Sequence, residues 1–163
     1  MQPFSGILQV KIIQGSDLAP RDLKSADPYV LLSIGDQKVK TPPIRRSLNP
    51  VWEQDLTLGT SEPVMPLKLF VFDKNTFTSD DEMGEAQIDL TPLIGAVKLK
   101  EQAHTTAENV VIHRVVASKE NSLARDSIIK FRNGTIVQEC CVKLQNVERG
   151  EIELELMWQP YCG

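Results

Sequence analysis

Apolar and polar residues alternate in short stretches along most of the chain. The alternation is clearest at residues 8–12 (LQVKI) and at residues 152–158 (IELELMW). A period of two indicates strands with one buried face. Similar patterns predict further strands over residues 29–34, 37–41, 67–73, 86–90, 109–117 and 135–144.

Turn residues separate these predicted strands. Gly35-Asp36 and Asn133-Gly134 are typical of hairpins, and Thr91-Pro92 predicts the start of a short helix over residues 93–99. About eight or nine strands with little helix indicate an all-β protein. We expect one domain, residues 1–163: an antiparallel eight-stranded β-sandwich with a helix/strand segment inserted at about 92–147, before the last strand.

Composition is that of an ordinary soluble protein. Hydrophobic residues make up 41% and charged residues 25% of the 163, and the net charge of -4 argues against a nucleic-acid binder. Neither a signal-peptide pattern nor an apolar run of membrane-spanning length is present, so we expect only peripheral membrane contact. Cys140, Cys141 and Cys162 lack CxxC spacing, which favours reduced thiols in a cytosolic or nuclear setting.

Two predicted loops concentrate carboxylates. Asp22 and Asp27 lie between the first two strands, and Asp73, Asn75 and Asp81 follow the strand at 67–73. Asp and Asn also favour turns for structural reasons alone, and one acidic loop would be read that way. Two such loops at one end of a sandwich would instead bring several carboxylates together.

Close carboxylates are costly without a cation. A pair about 4 Å apart repels by roughly 4 kcal/mol at an effective dielectric constant of 20. Calcium accepts six to eight oxygen ligands in flexible geometry, and the carbonyls of Arg21 and Lys74 are candidates to complete its shell. An EF-hand starting at Asp73 is excluded because Phe77 and Thr78 occupy positions that require an oxygen ligand and a glycine.

Three strings in order resemble the C2 domain family: residues 25–30 (SADPYV), 48–53 (LNPVWE) and 72–84, which run from Phe-Asp to Asp-Glu-Met-Gly. The resemblance covers residues 6–90 and 150–158. It implies that Ca²⁺ is bound by the side chains of Asp22, Asp27, Asp73, Asn75 and Asp81, with the carbonyls of Arg21 and Lys74. The family usually has aspartate where this chain has Asn75, so we expect weaker calcium binding; the sequence leaves open whether Asp80 compensates.

Residues 121–124 and 147–153, together with the long inserted segment, resemble the small plant C2-domain abscisic-acid-related proteins. That resemblance implies that the insertion binds abscisic acid receptors, and that some members activate GTPases. Arg114, Arg125 and Arg132 are present for such a role, and nothing in the sequence singles one out.

Two groups of residues are candidates for lipid contact. Lys24 and Phe77 lie on the acidic loops, where they are suited to anionic headgroups and the bilayer interface. Phe77 folding back onto its own loop is the alternative. A second basic group is suited to phosphoinositides, with a solvated strand face as the alternative; it comprises Lys38, Lys40, Arg45 and Arg46.

The sequence therefore predicts a non-catalytic binding module without a nucleotide-binding motif. We expect calcium-dependent docking on anionic phospholipid membranes, as a peripheral adaptor that recruits a partner such as a hormone receptor to the cytoplasmic face of the plasma membrane, with cytoplasm and nucleus as further locations. A GTPase-activating regulator of a small GTPase and a calcium-independent phosphoinositide scaffold are the alternatives.

Overall fold

The computed structural model describes residues 4–21, 25–103 and 110–161, apart from the side chains of residues 101–103. The described part contains ten strands and one helix. In chain order these are β1 (Gly6–Ser16), β2 (Pro28–Ile34), β3 (Gln37–Lys40), β4 (Val51–Thr60), β5 (Leu67–Asp73), β6 (Asp81–Ile88), α1 (Thr91–Ala103), β7 (Val111–Val115), β8 (Ser127–Arg132), β9 (Thr135–Lys143) and β10 (Glu151–Pro160).

The strands form two antiparallel sheets. One has six strands in the order β4-β1-β10-β9-β8-β7, and the other has four in the order β3-β2-β5-β6. This confirms the predicted antiparallel C2-type sandwich, although the described residues form ten strands and not the eight that were predicted. β4 and β8 were not predicted, and the helix begins two residues earlier and ends four residues later than expected.

The core lies between the sheets and is built from the inward positions of the alternating strands. Leu8, Val10 and Ile12 of β1 are fully buried beside Leu154 and Leu156 of β10. Each tryptophan in the core also satisfies its indole N–H, since Trp52 donates to the carbonyl of Pro28 (3.2 Å) and Trp158 donates to the hydroxyl of Thr60 (2.9 Å). Both indole rings are therefore buried without leaving an unpaired N–H group.

Hairpin chemistry matches the sequence expectations at the β8–β9 turn. Asn133 and Gly134 both have positive φ, at 54° and 77°. A type I′ turn requires positive φ at both central residues, which explains why Asn-Gly occurs there.

The open edge of β6 is covered by the connection between β9 and β10. Gln145 forms a bridge with Glu85 through hydrogen bonds of 3.2 and 2.7 Å. Gly84 makes this approach possible, since it has a φ of 115° and an added Cβ would lie 2.7 Å from Val147 and 2.8 Å from Leu144. The Met-Gly string noted in the sequence thus serves close packing between the sheets.

The described ends of the chain lie next to each other. β1 and β10 pair along their lengths, with Gly6 opposite Pro160, and Tyr161 donates its N–H to the carbonyl of Ser5 (3.0 Å). From there β1 runs the length of the sandwich to Ser16, where the first acidic loop begins. The described ends of the chain therefore lie at the opposite end of the sandwich from Asp27, Asp73 and Asp81. No helix among the described residues is long and apolar enough to cross a membrane.

Candidate calcium and membrane site

Strand register brings three aspartates to one end of the sandwich. Asp27 immediately precedes β2, Asp73 ends β5 and Asp81 begins β6. Pro28 pairs with Asp73, and Asp73 pairs with Asp81. The predicted meeting of the two acidic loops is therefore present for these three residues. Asp22 and Lys24, which were predicted as a calcium ligand and a lipid contact, lie outside the described residues.

Backbone N–H groups hold two of these carboxylates. The N–H of Asp27 donates to Oδ1 of Asp73 at 2.9 Å, and the N–H of Arg46 donates to Oδ1 of Asp27 at 2.8 Å. Lys74 donates its N–H to the carbonyl of Asp27 at 3.0 Å. Hydrogen bonds to an ionised carboxylate are stronger than neutral ones, so these contacts fix the loops relative to one another.

Asn75 faces Asp81 with its amide nitrogen. Nδ2 donates to Oδ2 of Asp81 at 3.2 Å and to the carbonyl of Ser79 at 2.8 Å. An aspartate at position 75 would place a second negative charge at the same distance. The asparagine therefore replaces a charge repulsion with a hydrogen bond and removes one charge from the donor set.

Asp80 is committed to a different network. Its carboxylate accepts hydrogen bonds from the hydroxyl of Tyr29 and from the N–H of Asn75 (2.9 Å), and Nζ of Lys74 lies 3.9 Å away. The N–H of Asn75, followed by the Tyr29 hydroxyl, holds the pKa of Asp80 below its usual range. Burial, followed by the hydrogen bond and the charge of Asp80, raises the pKa of Tyr29 to about 12.

The sequence did not reveal the Tyr29–Asp80 contact. The two residues are 51 positions apart, and strand and turn formation alone account for a tyrosine in β2 and an aspartate in the second loop. In the structure the carboxylate of Asp80 is hydrogen-bonded within the second loop and to Tyr29, and whether it also replaces the charge missing at Asn75 stays a prediction.

Ion pairs tie the first acidic loop to the β9–β10 turn. Arg21 donates from Nη2 to Glu148 at 2.6 Å, and Arg149 donates from Nε to Asp17 at 3.0 Å. Glu148 consequently has a lowered pKa, chiefly through its hydrogen bond with Arg21. The side chain of Arg21 is thus anchored beside the carbonyl that was predicted to bind calcium.

The donor chemistry of this end fits a hard cation. Asp27, Asp73 and Asp81 offer carboxylate oxygens, which suits calcium, and neither His nor Cys is among them, whereas Asn75 turns its amide nitrogen toward Asp81. Within residues 4–21, 25–103 and 110–161, no three His, Cys, Asp or Glu side chains lie close enough together to hold a metal ion by themselves. The predicted fourth carboxylate belongs to Asp22, which lies outside the described residues, so the calcium shell as a whole stays a prediction.

The tip of the second loop carries the most exposed large apolar side chain among the described residues. Phe77 is 96% exposed, whereas Phe72 at the end of β5 stacks on Tyr29 with ring centroids 5.6 Å apart. Phe77 does not fold back onto its own loop, which was the alternative from sequence. An apolar ring directed away from the protein beside an acidic loop suits insertion into a bilayer interface.

Comparison with known proteins identifies the family of this chain. The profile of the C2 domain family matches residues 6–109. The chain belongs to the C2 domain family. It is 42% identical over 163 residues to Protein C2-DOMAIN ABA-RELATED 2 from Arabidopsis thaliana, covering 100% of this chain and 94% of that protein. It is also 43% identical over 158 residues to GTPase activating protein 1 from Oryza sativa subsp. indica, covering 97% and 94%.

Solved structures show the same fold. A calcium-bound structure of two C2 domains of Extended-Synaptotagmin 2 superposes with a TM-score of 0.65 at 21% identity, over 97% of this chain and 47% of that one. A C2 domain of plant Extended Synaptotagmin 1 superposes with a TM-score of 0.63 at 20% identity, over 99% and 100%. The C2 sandwich is therefore shared, although sequence identity with these structures is low.

The second basic group of this C2 domain (Lys38, Lys40, Arg45 and Arg46) lies beside the end of the sandwich that carries Asp27, Asp73 and Asp81, which we call the acidic end. Lys38 and Lys40 occupy the same exposed face of β3, and Arg45 and Arg46 are exposed on the β3–β4 loop. Nζ of Lys40 lies 5.6 Å from the ring centroid of Tyr29, so the basic face and the second acidic loop meet at Tyr29.

The inserted segment of the C2 domain extends the six-stranded sheet. β7 is an edge strand whose Ile112 and Val115 pack on the core, while three neighbouring valines are exposed: Val110, Val111 and Val116. The three arginines considered for a GTPase role are all in ion pairs: Arg114 with Asp126 (3.6 Å), Arg125 with Glu153 (3.1 Å) and Arg132 with Glu155 (2.7 Å).

Proposed function

We propose that this C2 domain docks on anionic phospholipid membranes in a calcium-dependent manner, through the end that carries Asp27, Asp73, Asn75 and Asp81. The observation that carries the proposal is that Asp27, Asp73 and Asp81 lie at one end of the sandwich, and that the loop between Asp73 and Asp81 carries Phe77, which is 96% exposed. Calcium bound there would offset their charge and attract lipid phosphates.

In the proposed docking, different residues bind the cation, enter the bilayer interface and attract the headgroups. The aspartates and Asn75, with the carbonyls of Arg21 and Lys74, hold the cation. Phe77 enters the bilayer interface, where burying a phenylalanine contributes on the order of 2 kcal/mol. Lys24, Arg45 and Arg46 attract anionic headgroups, at about 1 kcal/mol for each basic residue near the surface. Electrostatic attraction and apolar insertion therefore act at the same end of the sandwich.

Docking of this kind would make the chain a peripheral adaptor. The inserted segment and the β7 edge leave apolar side chains available for a protein partner. Relatives named for a connection with ABA support an abscisic acid receptor as that partner. The proposed location is the cytoplasmic face of the plasma membrane, with cytoplasm and nucleus for the unbound protein.

Vesicle sedimentation with phosphatidylserine, in calcium and in EGTA, tests the proposal directly. Asp27→Asn and Asp81→Asn keep side-chain shape and remove one charge each, so they should reduce calcium-dependent binding. Asp36→Asn in the exposed β2–β3 turn makes the same charge change at the opposite end and should leave binding intact. Equal binding of the unmodified chain in EGTA would reject calcium dependence.

Regulation of a small GTPase is the second candidate. GTPase activating protein 1 from rice covers nearly the whole chain, and two Arabidopsis relatives named as ADP-ribosylation factor GTPase-activating proteins contain a matching region over 47% of their length. Arg45 and Arg46 have no acidic partner at ion-pair distance among the residues that the structure describes. A turnover assay with a purified small GTPase should lose activation in Arg45→Ala or Arg46→Ala rather than in Arg114→Ala.

A further inference from the structure

Three donors of the kind that bind small anions surround the carboxylate of Asp80. A phenol hydroxyl (Tyr29), a backbone N–H (Asn75) and an ammonium group (Lys74) converge on one carboxylate, and the ammonium of Lys40 lies over the same tyrosine ring. Hydroxyl, amide and ammonium donors of this kind also bind phosphate groups. In this chain, however, the anion that these donors contact is the carboxylate of Asp80.

These contacts lie beside the exposed basic face of β3, which carries Lys38 and Lys40. Lys40 lies on β3 beside Lys38, on the face whose charge suits a phosphoinositide headgroup. A headgroup phosphate that approached Lys40 and Tyr29 would meet the carboxylate of Asp80, whose side chain is 18% exposed. Like charges placed together without a counterion oppose binding, and the donors that could offset the repulsion are already engaged.

We propose that Asp80 is a specificity-determining residue that fills the phosphate position of the basic strand face and so selects against phosphoinositide headgroups. This inference concerns the headgroup preference of the proposed membrane-docking end and rests on that function. If Asp80 acts in this way, the chain is a poor calcium-independent phosphoinositide scaffold, because the carboxylate of Asp80 lies beside Lys40 and Tyr29.

The same contacts explain why neutralising Asp80 should open the site without dismantling it. In Asp80→Asn the amide oxygen still accepts a hydrogen bond from the N–H of Asn75, and the negative charge is gone. Tyr29, Lys40 and Lys74 then present their donors to solvent. Glu120→Gln is a matched control, since it removes one negative charge from an exposed residue on the β7–β8 loop.

Calorimetric titration with soluble inositol trisphosphate in EGTA tests the proposal. We expect Asp80→Asn to bind at least about tenfold more tightly than the unmodified chain or Glu120→Gln, because a like charge in the site is removed. The gain should disappear in the double variant Asp80→Asn, Lys40→Gln. Asp80→Ser removes the same charge with a smaller side chain and supplies the same comparison should the asparagine variant fail to fold.

Two results would overturn the proposal. The first is a folded neutral variant that binds inositol trisphosphate no more tightly than the unmodified chain. The second is a gain that survives the loss of Lys40. Because the probe is soluble and calcium is absent, these results can be read even if the chain fails to sediment with phosphatidylserine vesicles, a failure that would count against the proposed function alone.

Discussion

At the scale of single residues, the acidic end depends on which side chains carry a charge and which carry an amide. Asn75 is the decisive case, because its amide donates to Asp81 where a carboxylate would repel it. The structure thus gives a physical reason for the weaker calcium binding expected from the sequence: one charge fewer in the donor set. It also shows a benefit, namely a loop that is hydrogen-bonded without the metal.

Asn75→Asp should therefore have opposite effects with and without calcium. In EGTA the new carboxylate lies beside Asp81, so we expect a lower melting temperature than that of the unmodified chain. In calcium the added charge should tighten binding, and the melting temperature should rise by more on adding calcium than it does in the unmodified chain. Differential scanning calorimetry in both buffers checks this, and a calcium response no larger than the unmodified one contradicts it.

Phe77 offers a second residue-scale prediction. Phe77→Ala should weaken binding to phosphatidylserine vesicles in calcium by about tenfold or more, because on the order of 2 kcal/mol of interfacial burial is lost. Leu99→Ala is the matched control, since Leu99 is 63% exposed on α1, away from the acidic loops. Calcium affinity in the absence of lipid should stay unchanged in both variants. Unaltered vesicle binding by Phe77→Ala would show that Phe77 does not contact the membrane.

At the scale of strands and helices, the sequence indicated most elements because one of their faces is buried. β1 and β10 were evident from regular alternation. β8 (Ser127–Arg132) was missed because Ile128 and Ile129 are adjacent and obscure the period, although only Ile129 and Phe131 point into the core. β4 was missed because few of its residues are buried, and Glu53 has a φ of 48°.

The candidate site was predictable to the extent that it depends on neighbours along the chain. Asp27, Asp73 and Asp81 could be placed together because each lies next to a predicted strand end, whereas the place of Asp22 stays a prediction. The network of Tyr29, Lys40 and Asp80 was not, because it requires the pairing of β2 with both β3 and β5. No local pattern encodes that register. Extension of one C2 domain over all of residues 1–163 stays a prediction.

Gly84 permits an element-scale test of the packing between β6 and the β9–β10 connection. Gly84→Ala should lower the free energy of unfolding by about 2 kcal/mol or more, because positive φ and a close contact with Val147 both oppose a side chain. Gly95→Ala on α1 is the opposite case, because nothing lies within 4 Å of the added Cβ. We expect it to raise the free energy of unfolding by about 0.5–1 kcal/mol. Urea unfolding of both variants measures the difference, and equal midpoints would contradict the packing argument.

At the scale of the whole molecule, buried groups whose pKa is raised set the response to alkaline pH. Burial raises the pKa of Cys140 to about 12 and that of Cys141 to about 11, and Tyr29 is raised to about 12. The unfolded chain loses these protons first, at pKa values of 9.0 for the thiols and 10.0 for the phenol. Stability must therefore fall as pH rises from about 9 to about 12.

Urea midpoints measured from about pH 8 to about pH 11 should show this decline. Tyr29→Phe is expected to reduce the loss of stability that begins near pH 10, because it removes the phenol from the folded and the unfolded chain. Cys140→Ala should reduce the part that begins near pH 9. A midpoint that stays constant across the range would show that these groups ionise equally in the folded and unfolded chains.

The adjacent chain ends have a practical consequence for watching this protein at work. Ser5 and Tyr161 are joined by a hydrogen bond at the end of the sandwich remote from Asp27 and Phe77. In the proposed docking mode, a fluorescent reporter joined beside Ser5 or Tyr161 would lie on the side that faces away from the lipid surface. Such a reporter should therefore leave the proposed docking undisturbed, and the expected movement to the cell periphery after a calcium pulse can be followed with either fusion.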